Sequence, residues 1–266
     1  MARLTGNFDF TGKLGNISAY KIKGKGATVL RTKGGASRYK IKHHPAFINT
    51  RRNNAEFGGA SVAGKALRLA FNPVNHITGT SVGSINKFTR ALANMDTLSE
   101  WGRRAVRFSQ TRQFLEGFNL SKDLSVNSII RQQMVCGVQR NSGRASLVIP
   151  ALVNNINLRI PPNYPLFRLV VMLTVISDVE HIASSDPIYR AVATVNYPIA
   201  YTTTNWFAAA ENIPEQHFNL QLSNFNGLPD CQSLLLGIGV EFGLPISTQL
   251  IKTIPKQGAA VILAAG

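Results

Sequence analysis

The residues best suited to chemistry in this chain are the bases of a short stretch near its start, KIKGKGATVLRTKGGASRYKIKHH, residues 21–44. The stretch holds eight Lys or Arg side chains and no acidic residue. Cationic side chains at this density act on phosphates and other oxyanions as charges and hydrogen-bond donors, not as catalysts. Tyr20, Tyr39 and Phe47 interleave with them and offer faces on which nucleic-acid bases could stack.

The run therefore predicts contact with a polyanion, nucleic acid before others, or with an acidic neighbouring subunit. The contact residues predicted are Lys21, Lys23, Lys25, Arg31, Lys33, Arg38, Lys40 and Lys42, with Arg103, Arg104 and Arg107 as a second patch. Sequence-specific reading is not expected, because no helix-turn-helix, zinc-finger or ribonucleoprotein motif is present.

A second candidate is GASVAGKA, residues 59–66, which satisfies most of a phosphate-binding loop. Position 66 is Ala, so no hydroxyl could reach Mg²⁺, and the segment lies inside a helical pattern instead of between a strand and a helix. We expect its small residues to allow close helix packing.

Metal and catalytic chemistry have weaker signals. Asp178, Glu180, His181 and Asp186 could ligate a metal, but polar residues after a long strand are expected in any solvated connection. His43-His44 lacks a partner at ligand spacing, and Cys136 and Cys231 are expected to be buried free thiols. With no G-x-S-x-G motif and no recognisable carboxylate pair, we predict no enzyme activity, no metal, no cofactor and no small-molecule substrate.

Charge is unevenly distributed along the 266 residues, whose net charge is +16. Residues 1–144 hold 24 of the 29 bases and six of the 13 acids, whereas residues 145–266 hold five bases and seven acids. This contrast predicts two domains with those bounds. The start lacks the apolar core of a secretory signal and no run is long enough to span a bilayer, so we expect cytoplasmic synthesis and no membrane span.

The elements that would position the basic residues follow from periodicity. Alternation over residues 17–23 predicts a strand, a Gly-Lys-Gly turn follows, and residues 27–31 return as a second strand. Small residues three and four apart from Ala55 to Ala70 predict one helix, and the apolar spacing from Ile85 to Met95 predicts another. A capping box at residues 97–100 predicts a third helix to about residue 108, which would bury Leu98 and Trp101 and leave the second arginine patch outside.

Residues 145–266 change to strand-like runs separated by turn-formers. In HFNLQLSN, residues 217–224, apolar and polar side chains alternate, as on a half-buried strand. Seven or so such runs predict an α+β protein in which a basic hairpin and helices precede an antiparallel β-sandwich, Ig-like or jelly-roll.

The opening residues also carry a resemblance. Gly12-Lys13-Leu14-Gly15-Asn16, with Tyr20-Lys21 and Gly24-Lys25, resembles the G-K-x-G-N-x-x-x-Y-K-x-x-G-K opening of an uncharacterised family of small basic Bacteroidetes proteins. In that family the segment leads into a helix and a β-rich part, and the resemblance implies a non-enzymatic role. The middle of this chain is longer and richer in arginine than that pattern.

These observations predict a structural protein that self-associates through its sandwich and contacts a polyanion through its basic half. The layout, a cationic portion before an uncharged β-rich portion, is similar to that of many viral coat proteins. The terminal AAVILAAG, residues 259–266, could complete a neighbouring copy's sheet or pair within its own chain. The alternative is a monomeric nucleic-acid-binding protein without sequence preference.

Overall fold

The computed structural model describes residues 2–3, 10–22, 28–32, 34–79, 82–182, 188–196, 199–247 and 250–266. The chain divides into two compact units, Met1–Arg51 and Arg52–Gly266, called here the N-terminal unit and the large unit. This division lies far from the boundary at 144/145 that the charge distribution predicts.

The elements are numbered in chain order. The α-helices are α1 (Arg38–His43), α2 (Ile48–Ala70), α3 (Asn72–Thr78), α4 (Val82–Ala93), α5 (Arg112–Leu115) and α6 (Val126–Ile129), and Pro45–Phe47 forms a 3-10 turn. The first strands are β1 (Ala2–Arg3), β2 (Gly12–Leu14), β3 (Ile17–Lys21), β4 (Thr28–Thr32), β5 (Val135–Gln139), β6 (Arg144–Ile149) and β7 (Leu166–Ser177). The remaining strands are β8 (Val179–Ile182), β9 (Ile188–Ala191), β10 (Ala200–Thr203), β11 (Phe207–Ala208), β12 (Gln216–Gln221), β13 (Gln232–Pro245), β14 (Ile251–Thr253) and β15 (Ala259–Ala265). With 25% helix and 36% strand, the α+β class is confirmed.

The N-terminal unit contains the predicted hairpin. Strands β3 and β4 pair antiparallel from Ile17 opposite Thr32 to Lys21 opposite Thr28, and the four-stranded sheet has the order β1-β4-β3-β2. Residues 24–26, predicted as the turn, lie outside the described residues. Helix α1 follows, and Ser37 begins it as a cap, because its hydroxyl accepts a hydrogen bond from the Lys40 N–H.

The large unit is organised by a central antiparallel sheet. Its main path is β10-β7-β13-β14, with β11 on β7 and β15 on β13, and it curves as a half-barrel. Strands β7 and β13 form its axis, paired from Ser177 opposite Gln232 to Leu166 opposite Gly243. Both strands read as nearly continuous apolar sequence because both faces of this sheet are covered.

Two hydrophobic cores lie on the two faces of the central sheet. On one face, Leu169 and Val171 of β7 pack with Leu147 of β6, which belongs to a three-stranded sheet of order β12-β6-β5. On the other face, Val170 and Met172 pack with Leu67 and Ile77 of helices α2 and α3. The helical core therefore draws on both sides of residue 144, and the predicted two-domain division does not match it. An Ig-like or jelly-roll sandwich is not confirmed.

Small residues let helix α2 approach its neighbours, as the sequence predicts. A Cβ atom on Gly59 would lie 2.5 Å from the ring of Tyr189, and one on Gly64 would collide with the Asn86 amide. Both glycines are buried and helical. The GASVAGKA segment is thus explained by packing.

The third predicted helix, residues 97–108, is wrong. The described residues 94–111 form turns and extended segments instead. The Asp96 carboxylate accepts hydrogen bonds from the Leu98, Ser99 and Ala105 N–H groups, so these amides bond to a side chain instead of to helical carbonyls. Leu98, predicted to be buried, is 83% exposed.

Strand β15, the AAVILAAG segment, pairs within its own chain. One edge bonds to β13, with Leu235 opposite Ala265 and Val240 opposite Ala259. Its other edge accepts hydrogen bonds from the N–H groups of Gly117 and Leu120, at 2.8 Å each. Because both edges are occupied, this strand has no free edge with which to extend a neighbouring sheet.

Helices of the described residues include none with the length and apolarity that a membrane crossing requires. Cys136 and Cys231 are free thiols of intermediate exposure, and burial raises the pKa of Cys136.

Candidate nucleic-acid interface

Helix α1 presents the densest group of predicted contact residues. Arg38, Lys40 and Lys42 are exposed, and none of them forms an ion pair with another described residue. Between them, Tyr39 is 75% exposed and its ring lies 4.5 Å from the ring of His43. The helix therefore offers cationic side chains and an accessible aromatic ring side by side.

Two contacts fix the chain that follows α1. Arg51 donates hydrogen bonds to the carbonyl oxygens of Ile41 and His44, at 2.8 and 3.0 Å. His44 accepts a hydrogen bond at Nδ1 from the Ala46 N–H, at 3.2 Å. The end of α1 is thus tied to the first turn of α2, which holds the short helix in place despite its six residues.

The sheet of the N-terminal unit carries a second basic face. Cross-strand pairing places Lys13, Ser18 and Arg31 in one row. The Arg31 guanidinium lies 5.6 Å from the centre of the Tyr20 ring, on the same face. Lys13 was absent from the predicted contact set, and only the strand register places it in the same row as Arg31, with Ser18 between them.

The other predicted residues of this unit are placed as follows. Lys21 is exposed at the end of β3. Lys23, Lys25 and Lys33 lie outside the described residues. Because residues 10–55 contain no acidic residue, no carboxylate of this segment can neutralise its bases, and their mutual repulsion is relieved only by an anion from elsewhere.

The second predicted patch is different, because Arg104 is bound inside the large unit. Its Nε and Nη2 donate to the two oxygens of Glu56, at 2.7 and 2.8 Å, in a bidentate pair. The Gly102 N–H donates to the same carboxylate, and Arg90 Nη1 lies 2.6 Å from it. Burial alone would raise the pKa of Glu56, but these hydrogen bonds and charges lower it.

Arg107 is also engaged within the chain. Its Nη1 donates to Asp96 at 2.9 Å, and its Nε lies 3.6 Å from Glu180. Arg103 is exposed and faces Glu100 at 3.9 Å. Arg104 and Arg107 therefore serve as partners of buried carboxylates, and the structure assembles no phosphate-binding surface from them.

The acidic cluster after β7 also makes contacts within the fold. Asp178 accepts hydrogen bonds from the Ser109 N–H and hydroxyl, at 2.8 and 2.6 Å, and burial raises its pKa. His181 lies edge-on to the Tyr189 ring, and burial together with the nearby Arg103 charge lowers its pKa. Asp186 lies outside the described residues, and the described chain contains no group of three His, Cys, Asp or Glu side chains placed to hold a metal.

Sequence reasoning missed one charged cluster in the large unit. His76 Nε2 lies 2.9 Å from Glu241 Oε1, and Arg168 Nε lies 2.5 Å from Glu241 Oε2. The three residues come from α3, β7 and β13, and His76 and Glu241 are 165 positions apart. The only local signal is a lone acid in the apolar run SLLLGIGVEFG, residues 233–243.

Comparison of this chain with protein-family models, with curated proteins and with solved structures gives no match.

Proposed function

We propose that the protein is a non-enzymatic nucleic-acid-binding protein without sequence preference, and that its N-terminal unit makes the contact. The observation that carries this proposal is the group of exposed bases on α1, Arg38, Lys40 and Lys42, which form no ion pair with another described residue and lie in a segment without any acidic residue. Such a surface gains free energy by neutralising phosphates and releasing their counterions.

The aromatic residues of this surface favour a single-stranded partner. Tyr39 is exposed between the bases of α1, and an accessible ring can stack on an unpaired nucleobase of any type. Stacked base pairs of a duplex hide those faces, so a duplex would bind through its phosphates alone. We therefore expect single strands to bind more tightly than duplexes of the same length.

The test is a fluorescence-anisotropy titration of the full chain with labelled single strands of several sequences, repeated over a range of salt. We expect similar affinities for all sequences and a fall in affinity of about a thousandfold between about 50 and 200 mM salt, because phosphate neutralisation drives the binding. Absence of binding at low salt, or binding that salt leaves unchanged, would refute the proposal.

Self-association of a coat-like building block is the second candidate. The observation that favours it is the outer side of α2, where Phe57, Val62 and Leu69 are 61%, 37% and 58% exposed. The β-rich part of the large unit would then form the body of a particle or filament, whether or not it is a sandwich. A mass measurement in solution at low and high salt tests this candidate, since apolar association persists in salt. A monomer in both conditions contradicts it.

A further inference from the structure

The His76–Glu241–Arg168 cluster lies beneath an open groove on the helical face of the central sheet. Glu241 is directly opposite Arg168 in the β13–β7 pairing, and Val170 is opposite Thr203 in the β7–β10 pairing. Helix α3 covers the adjacent part of this face. A Cβ atom on Gly239 would lie 2.8 Å from Val74, so this glycine lets α3 approach closely enough for His76 to reach Glu241.

Glu241 is buried and fully engaged. Its side chain is 1% exposed, and its oxygens receive Arg168 Nε, His76 Nε2 and a hydrogen bond from Thr253. Burial would raise the pKa of Glu241, but the hydrogen bonds from Arg168 and His76 outweigh burial and lower it. The carboxylate is therefore ionised and serves as a fixed anchor for the Arg168 guanidinium and the His76 ring.

The groove above the anchor has a volume of about 390 Å³, and its lining includes Pro73, His76, Arg168, Val170, Tyr201 and Thr203. This volume falls within the range of small-molecule sites. The Arg168 guanidinium uses Nε for Glu241 and lies 4.6 Å from the centre of the Trp206 ring. Its two terminal nitrogens have no hydrogen-bond partner among the described residues, and neither do the hydroxyls of Tyr201 and Thr203.

The lining therefore places the Tyr201 and Thr203 hydroxyls in the same groove as the Arg168 guanidinium, whose orientation Glu241 and Trp206 fix. A planar guanidinium presents paired N–H groups that match the oxygens of a phosphate or carboxylate. Pro73, Val170 and the Tyr201 ring provide apolar surface beside these donors.

We propose that this groove binds the oxyanion group of a small organic phosphate or carboxylate, with the terminal nitrogens of Arg168 as the principal donors. The hydroxyls of Tyr201 and Thr203 donate from the β10 side, and the organic part rests on Pro73 and Val170. The site lies within the large unit and is independent of the basic surface of the N-terminal unit.

His76 lies beside the proposed donors. Its Nε2 is 2.9 Å from Oε1 of the ionised Glu241 carboxylate, and its side chain is 54% exposed at the groove.

The test is a titration of the full chain, in a Trp101→Phe background, with phenyl phosphate, benzoate and phenol. Emission then reports on Trp206, the remaining tryptophan, which contacts the principal donor. We expect a saturable change with phenyl phosphate, benzoate or both, and none with phenol; the stronger of the two anions identifies the oxyanion class. No saturable change with either anion, or an equal response to phenol, overturns the proposal.

Two variants test the site without removing a buried group. Arg168→Lys retains a charge for Glu241 but loses the planar fork, and should weaken anion binding about tenfold. Tyr201→Phe removes one exposed hydroxyl and should weaken it about threefold. The matched control Arg190→Gln removes an exposed arginine outside the groove and should change nothing. If neither Arg168→Lys nor Tyr201→Phe changes the anion affinity, the anion binds elsewhere and the proposed site is refuted.

Discussion

In the N-terminal unit, Arg38 and Lys40 project from α1 without an acidic partner in the described part of the chain, whereas in the large unit Arg104 and Arg107 each hold a buried carboxylate. Residues 1–51 contain eleven bases and one acid, so most of these bases cannot pair with an acid of the same unit. The large unit contains 18 bases and 12 acids, and its most buried carboxylates attract arginines from distant parts of the chain.

The difference shows that the number of arginines does not define an interface. The runs RRAVR, residues 103–107, and RYKIK, residues 38–42, each hold three bases in five residues, but Arg107 of the first run bonds to Asp96, eleven positions earlier. What separates a binding surface from a structural network is the supply of carboxylates that can be buried beside the bases, because a buried carboxylate requires compensation.

The strongest test of this comparison removes the carboxylate at the centre of the network. Glu56→Gln leaves Arg90 and Arg104 with no counter-charge, and we expect it to lower the free energy of unfolding of the large unit by about 3–5 kcal/mol. Urea unfolding monitored by Trp101, next to the Gly102 that bonds to Glu56, measures this loss. The control is Glu100→Gln, whose exposed partner Arg103 lies 3.9 Å away and which should change stability little. Equal effects of the two substitutions would contradict the buried network.

Whether a feature of the fold could be predicted from the sequence depends on how far apart in the chain the contacting residues lie. The β3–β4 hairpin and the helix from Ala55 to Ala70 were predictable, because alternation and small-residue spacing are local patterns. The sandwich was not confirmed, since alternation locates strands but does not determine which sheets they join.

The third helix failed for a related reason. The capping box at residues 97–100 is a local signal, and it was overridden by Asp96, whose carboxylate binds the amides of Leu98, Ser99 and Ala105. The groove cluster was invisible because Glu241 meets His76 only after β13 and α3 have packed together. Residues that lie so far apart in the chain leave no recognisable spacing pattern in the sequence.

The second prediction tests the other side of the comparison with two triple variants of equal charge. Replacing Arg38, Lys40 and Lys42 by Gln should weaken single-strand binding about a hundredfold at low salt and reduce the slope of log affinity against log salt by about 2. Replacing the exposed Lys65, Lys87 and Arg190 of the large unit by Gln removes the same charge and should have a far smaller effect. Equal losses would mean that net charge alone drives binding, and the proposed interface would fail.

The third prediction concerns the protonation of a buried carboxylate of the large unit at low pH. Burial tends to raise the pKa of Asp96, but hydrogen bonds from Ser99, Ala105 and Leu98 lower it from 3.8 to about 2. A carboxyl whose folded pKa is lowered stabilises the fold above its unfolded pKa, and this stability is lost as the pH falls through the folded value. Stability should therefore fall by about 2 kcal/mol from this group as the pH drops from about 5 to about 2.

Urea unfolding at several pH values measures this loss, and Asp96→Asn should flatten the dependence by the same amount. Asp178 is the counterpart, because burial raises its pKa and its contribution is lost as the pH increases instead. Asp178→Asn should therefore leave the loss at low pH in place. An acid dependence that Asp96→Asn does not change would show that other groups control it.

The last prediction concerns two adjacent glycines of α2, of which Gly58 should give the smallest effect. It tests whether the large unit is as closely packed as its paired charges suggest. Gly59→Ala would place a methyl group 2.5 Å from the ring of Tyr189, whose hydroxyl donates to the Gly102 carbonyl, so we expect a loss of about 1–3 kcal/mol. Gly58 has no atom within 4 Å of the equivalent position, and Gly58→Ala should stabilise the helix by up to about 1 kcal/mol. Opposite signs for neighbouring substitutions cannot arise from helix propensity alone, because propensity favours alanine at both positions. Thermal or urea unfolding of the pair therefore separates packing from propensity, and two stabilised variants would show that Tyr189 does not hold its ring against α2.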